Sequence, residues 1–109
     1  MKKIEVRKGG TNVFRDLGFS PFEAAELMVK SRLIGAISDT IARRELTQIQ
    51  AAKLCGTDQP TLSKVLRGRM DSVTIDRLAG WLVALGRTVE IRVRPYTARA
   101  GAGHLITVL

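Results

Sequence analysis

Two glutamines, Gln48 and Gln59, each open a short apolar-patterned segment, and the second is followed by Pro60, Thr61, Ser63 and Lys64. These side chains suit the reading of a polar surface better than the making of bonds. A glutamine amide sets a donor beside an acceptor, as N6 and N7 of adenine require. A lysine ammonium donates to O6 or N7 of guanine, a serine hydroxyl serves either base, and a threonine methyl can touch a thymine methyl. Pro60 can offer only apolar contact. Thr47 would cap the first segment, leaving the amide and backbone N–H of Gln48 at a positive helix end, a good anchor for phosphate. Arg67 and Arg69 would add phosphate contacts, with Arg43 and Lys53 as further candidates.

For those residues to share one surface, two short helices must cross at a steep angle. The pattern predicts helices over 47–55 and 58–66 with Gly56-Thr57 between them, and Thr57 or Asp58 as the cap of the second. Ala52 supplies the small side chain that a close crossing needs, and Gly56 can visit positive φ without steric cost. Ala51, Cys55, Leu62 and Val65 fall where they would seal the pair onto a longer helix. Gln59, Pro60 and Thr61 then form an exposed first turn, with Lys64 one turn further along.

The longer helix is announced by Ser20-Pro21-Phe22-Glu23: a cap, a proline suited to the first helical position, and the glutamate of a capping box. Ala24, Leu27, Ser31, Ile34, Ile37 and Ile41 recur at steps of three and four and predict a core-facing stripe, with Glu26, Lys30, Arg32 and Asp39 largely off it. Gly35 within the stripe suggests a close helix contact or a slight bend. The helix should end near Arg43 or Arg44, where cations suit its negative end. A last helix is expected over 72–85, capped by Ser72, with Ile75, Leu78, Leu82 and Leu85 inward, Trp81 in the core and Gly86 as terminator.

Beyond Gly86 the period changes to two. Val89, Ile91 and Val93 alternate with Glu90, Arg92 and Arg94, the pattern of a half-buried strand that Pro95 ends. Residues 105–109 read as a second strand, with 96–103, Tyr96 included, as the hairpin loop. Two strands alone are marginally stable, which hints at another element or a second chain. Ile4 to Val6 is a candidate short strand in an N-terminal arm. The expected organisation is an arm over 1–19, a helical domain over 20–86 and a strand or hairpin extension over 87–109.

The chain's 109 residues suffice for one ordinary core. Eighteen Lys and Arg against ten Asp and Glu give a net charge of +8, which favours a polyanionic partner. Between Arg43 and Arg69, the basic residues Arg43, Arg44, Lys53, Lys64, Arg67 and Arg69 face only Glu45 and Asp58. No run approaches the ~20 apolar residues of a membrane span, and the N-terminus lacks the apolar region of a signal peptide, so a cytoplasmic location is expected. With one histidine, one cysteine and no clustered carboxylates, little acid–base machinery is on offer. No enzyme, metal site or cofactor is expected, His104 reads as a surface residue, and Cys55 as a small core residue.

Leu46-Thr47-Gln48 with Ala52, Gly56, Gln59-Pro60-Thr61-Leu62-Ser63 and Arg67-Gly68 resembles the Xre/Cro family of helix-turn-helix regulators. Asn12-Val13-Phe14-Arg15-Asp16-Leu17-Gly18-Phe19 and Leu85-Gly86-Arg87-Thr88-Val89-Glu90-Ile91 resemble one branch of it, the HigA-like antitoxins, and the likeness covers roughly residues 12–94. The resemblance implies a mainly α, lambda-repressor-like bundle of four to five helices with a small C-terminal strand or hairpin. It further implies a homodimer that represses its own promoter on double-stranded operator DNA, and a ribonuclease toxin that it binds and neutralises. Carried over by position, Gln48 clamps phosphate while Gln59, Pro60, Thr61 and Lys64 face bases. Asp58 stands where many relatives have a neutral cap, which disfavours close phosphate approach there. The dimer contact would come from the last helix or from the strand over 89–94.

Overall fold

The computed structural model describes residues 13–96 and 101–109. The reading of Ile4 to Val6 as a strand lies outside them, as do residues 97–100 of the expected hairpin loop. Five α-helices are present among the described residues: α1 (Val13–Asp16), α2 (Pro21–Arg43), α3 (Gln48–Cys55), α4 (Gln59–Leu66) and α5 (Ile75–Ala84). α1 falls in the segment read as an arm and packs on the start of α2. Phe14 and Phe19 meet edge to face there, with ring centroids 6.3 Å apart.

α2 is the beam of the molecule. The Ser20 hydroxyl accepts from the Glu23 N–H while the Glu23 carboxylate accepts from the Ser20 N–H, so the expected capping box is formed. Ala24, Ile34, Ile37 and Ile41 are buried as the stripe predicts, and Val29, Leu33 and Thr40 widen it. Two positions reverse. Ser31 is exposed, whereas Lys30 is buried, its stem against the core and its ammonium donating to the Met70 carbonyl at 3.2 Å. Gly35 makes no close contact either: a Cβ there would meet nothing within 4 Å.

Against this beam pack α4 and α5, with α3 bridging the two. The core unites Ile37 and Ile41 of α2, Ala51 and Ala52 of α3, Leu62 and Val65 of α4, and Leu78, Trp81, Leu82 and Leu85 at the far end. α5 starts later than the sequence suggests: Thr74, not Ser72, is the cap, its hydroxyl accepting from the Arg77 N–H. Thr74 leaves Val73 free to enter the core, where it is buried.

All five helices end alike. In each, one N–H beyond the last turn donates to the carbonyl five residues back and its predecessor donates three back, as Leu46 does to Ile41 and Glu45 to Ala42 at the end of α2. The pivotal residue is in the left-handed region: Gly18, Gly56, Gly68 and Gly86 at four ends, and Glu45 at φ 54° at the fifth.

The expected strands are not formed. Residues 87–96 and 103–109 adopt neither helix nor strand, and no backbone hydrogen bond joins them among the described residues. Only Val89 and Leu105 rest against the core, while Ile91 and Val93 are 88% and 90% exposed. A two-stranded ribbon without a covering layer has little to hold it, which is why alternation alone did not yield a strand.

Glu45→Gly should raise stability by about 1 kcal/mol, because an L side chain in the left-handed region is strained where glycine is not. Gly35→Ala should add up to about 1 kcal/mol, an exposed helical glycine being replaced where there is room for the methyl group. Urea denaturation checks both, and a lowered midpoint for either variant would contradict these backbone assignments.

Candidate nucleic-acid interface

The turn between α3 and α4 is built from its two caps. Thr47 and Gln50 form a second capping box, the hydroxyl accepting from the Gln50 N–H at 3.1 Å and the Gln50 amide oxygen from the Thr47 N–H at 2.8 Å. Gly56 at φ 71° closes α3, with its N–H donating to Lys53 and that of Thr57 to Ala52. Of the two candidate caps, Asp58 is the one used, its carboxylate accepting from the Thr61 N–H at 2.8 Å. Hydrogen bonding from Thr61, with Lys64 one turn on, holds the Asp58 carboxyl below the usual carboxylate range despite full exposure.

Residue steps of 100° then divide α4 into faces. Leu62 and Val65 are buried, with Leu66 half-buried beside them. Opposite lie Pro60, Lys64 and Arg67, all exposed. Gln59 and Ser63 flank this stripe on one side and Thr61 on the other, each half-buried. The sequence reading grouped Gln59, Pro60, Thr61 and Lys64 on one surface; the geometry centres that surface on Pro60, Lys64 and Arg67 and puts Thr61 at its margin. Arg69 comes next in the loop beyond α4 and is exposed.

One contact joins the two helices at this surface. Gln59 Nε2 donates to Gln48 Oε1 at 2.8 Å. The bond consumes one hydrogen of the Gln59 amide and leaves its other N–H and its oxygen without a partner among the described residues, the donor–acceptor pair that adenine presents in complement. It also turns the Gln48 NH2 away from Gln59. Beside it, nothing among the described residues accepts from the N–H of Gln48 or Ile49, so the start of α3 carries unused donors.

The basic residues on and around this surface differ in what they bind. Lys53, Lys64, Arg67 and Arg69 are exposed on or near the α3–α4 surface. Arg43 pairs with Asp39 at 2.9 Å, which offsets its charge locally. Arg44 is bound instead to the Leu85 carbonyl at 3.0 Å, and Arg87 to the Thr40 hydroxyl at 2.8 Å. Lys30, Arg44 and Arg87 are therefore fasteners, a role sequence reasoning missed. Its signal was available only for Lys30, which falls on the buried side of α2. Cys55 is half-buried and burial pushes its thiol up, keeping it protonated at neutral pH. His104 is exposed, and among the described residues no group of three metal-ligating side chains comes together. None of the described helices is long and apolar enough to cross a membrane.

Two short capped helices set against a beam, the second presenting polar and basic side chains outward, define a helix-turn-helix protein. Comparison with known proteins agrees. A helix-turn-helix domain family profile matches residues 13–94. A solved structure described as a candidate XRE family transcriptional regulator superposes with a TM-score of 0.71 at 31% identity, over 80% of this chain and 98% of that one. No match was found among curated proteins. The chain belongs to the helix-turn-helix family of XRE-type transcriptional regulators.

Because the folded Asp58 carboxyl titrates below its unfolded value, its capping bond stabilises fully above about pH 4 and is lost as pH falls below that. Asp58→Asn keeps an oxygen cap without the titration. Urea midpoints at pH 7 and near pH 3 should therefore show the native chain losing more on acidification than the variant, and equal losses would contradict the capping role.

Proposed function

We propose that this regulator is a sequence-specific, homodimeric transcriptional repressor acting in the cytoplasm, in which α4 enters the major groove and α3 fixes it to the phosphate backbone. The observation that carries this reading is the Gln48–Gln59 bond beside the outward Pro60, Lys64 and Arg67. It pre-orients an adenine-reading amide at the edge of a basic helix face. Gln59, Thr61, Ser63 and Lys64 contact base edges and Pro60 packs against a thymine methyl. Thr47, Gln48, Arg67 and Arg69 hold phosphates. Asp58 positions Thr61 through its cap, and its charge is tolerated only where the phosphates stand off.

Two copies would place their α4 helices in successive major grooves ~34 Å apart on a near-palindromic operator, excluding polymerase. Binding occurs without turnover. The segments 12–19 and 85–91, which resemble the HigA-like branch, further support an antitoxin that represses its own operon and neutralises a ribonuclease partner.

The test is co-expression with the neighbouring gene, a pull-down, and a gel shift on the shared promoter. A co-purifying protein that loses ribonuclease activity on binding is the expected result. Promoter binding without such a partner would leave a solitary repressor, and absence of any DNA binding would overturn the reading.

On the promoter, Gln59→Ala and Lys64→Ala should each cost ~1–3 kcal/mol and relax sequence choice. Arg67→Ala should weaken all DNA about equally and lower the salt slope by about one. Gln48→Ala with Gln59→Ala should cost less than the sum of the two singles, since the first releases the amide that the second removes. Fluorescence anisotropy over a salt series measures all of these, and strict additivity would show that the two glutamines act independently.

A further inference from the structure

We propose that Lys30 is a positioning residue for DNA binding: from the beam it holds the Met70 carbonyl, and so fixes the loop that presents Arg69 to the phosphate backbone. This rests on the DNA-binding reading of the α3–α4 surface given above and adds to it a residue too buried to touch DNA. Lys30 is 9% exposed. Withdrawing an ammonium from water costs free energy unless hydrogen bonds replace the lost hydration, and an apolar side chain would fill the same place without that cost. Packing therefore does not account for the lysine; its bond to the Met70 carbonyl at 3.2 Å does. The other two fasteners, Arg44 on the Leu85 carbonyl and Arg87 on the Thr40 hydroxyl, join α2 to the chain after α5. Lys30 joins it to the chain that leaves α4.

The loop from Arg67 to Thr74 is otherwise lightly held. The N–H groups of Gly68 and Arg69 close α4 by donating to Val65 and Lys64, and Thr74 caps α5. Between these ends, the hydrogen bonds of residues 70–72 among the described residues both fall on the Met70 carbonyl, one from Lys30 and a longer one from the Val73 N–H at 3.5 Å. Met70 is half-buried, while Arg69 and Asp71 on either side of it are exposed. The residue that turns inward thus sets where its neighbours point, and its Cα lies only ~3.8 Å from that of Arg69. A segment with so few bonds opens readily once its main one is removed. Arg69 would then have to be ordered at each binding event, and ordering a long side chain with its backbone subtracts from affinity. Arg67 is spared, because its own N–H donates to Ser63 and Lys64 at the end of α4. The defect is confined to one phosphate contact.

Fluorescence anisotropy over a salt series, with the promoter duplex and a scrambled duplex, tests this. Lys30→Met keeps the stem and removes the donor. It should weaken binding to both duplexes about three- to tenfold and lower the salt slope by about one, the share of a single phosphate contact. Lys30→Arg, which can still donate to the carbonyl, should bind within about twofold of the native chain. In an Arg69→Ala background, Lys30→Met should change affinity less than about twofold, because the contact it positions is already gone. Circular dichroism should show the native helical signal; if Lys30→Met loses it, Lys30→Gln, with a polar head too short for the carbonyl, is measured in its place. Native affinity and slope in Lys30→Met, with only a lower urea midpoint, would make the lysine a plain fastener and overturn the proposal. Full additivity with Arg69→Ala would do the same. A native chain whose DNA binding does not depend on salt, or is unchanged by Arg69→Ala, would instead refute the phosphate surface on which Lys30 acts.

Discussion

An eight-residue helix cannot hold itself together in water, because nucleation costs more than so few hydrogen bonds return. α4 exists only because Leu62 and Val65 are removed from solvent, at 0% and 2% exposure, against the beam of α2. Burying two such side chains contributes on the order of 1.5–3 kcal/mol each before packing is counted. That inward pair fixes the outward one. With Leu62 and Val65 pinned, the 100° step leaves Pro60, Lys64 and Arg67 facing away and gives Gln59 its place beside Gln48. The outward face of α4 is thus decided by two side chains that never reach it.

Cations in turn fasten the beam to the chain around α5. Lys30, Arg44 and Arg87 cap or cross-link carbonyl and hydroxyl groups from Met70 to Leu85 and back to Thr40, anchoring the chain before and after that helix. A +8 chain therefore does not present all its charge to a polyanion. Part of it is structural, and among the described residues the exposed cations Lys53, Lys64, Arg67 and Arg69 lie along α3, α4 and the loop that leaves them. The bulk charge suggested a partner correctly in kind, but only the hydrogen-bond geometry tells which cations are available.

Where local chemistry was self-sufficient, the sequence could be read directly. Ser20-Pro21-Phe22-Glu23, Thr47, Gly56 and Gly86 each determine a helix end from neighbouring residues alone, and each was legible. Glu45 was not, because left-handed backbone at a glutamate comes from the Leu46–Ile41 contact across the turn rather than from propensity. Ser72 was read as the cap, but Thr74 caps equally well and lets Val73 be buried between them. Lys30 and Ser31 exchanged roles because a long aliphatic stem can run along the core while its ammonium escapes to a carbonyl. The alternation at 89–93 was read as a strand, but a strand needs a neighbour, and no residue within the described chain fills that place.

The two helix starts at the surface differ in a way that divides their labour. α4 opens with an anionic cap, its second residue is a proline without an N–H, and its third N–H is spent on Asp58, so only the Gln59 amide proton remains. An anion gains nothing by approaching such an end. α3 opens with a neutral threonine and keeps the N–H groups of Gln48 and Ile49 unengaged. The dipole of α3 is therefore free to attract phosphate while that of α4 is already neutralised by its own carboxylate. On the proposed docking, Asp58 would cost some electrostatic attraction while disfavouring a competing mode in which α4 meets the backbone end-on instead of lying along base edges. The departure from a neutral cap, read from sequence as disfavouring phosphate approach there, becomes in three dimensions an argument for the proposed division in which α3 anchors and α4 reads.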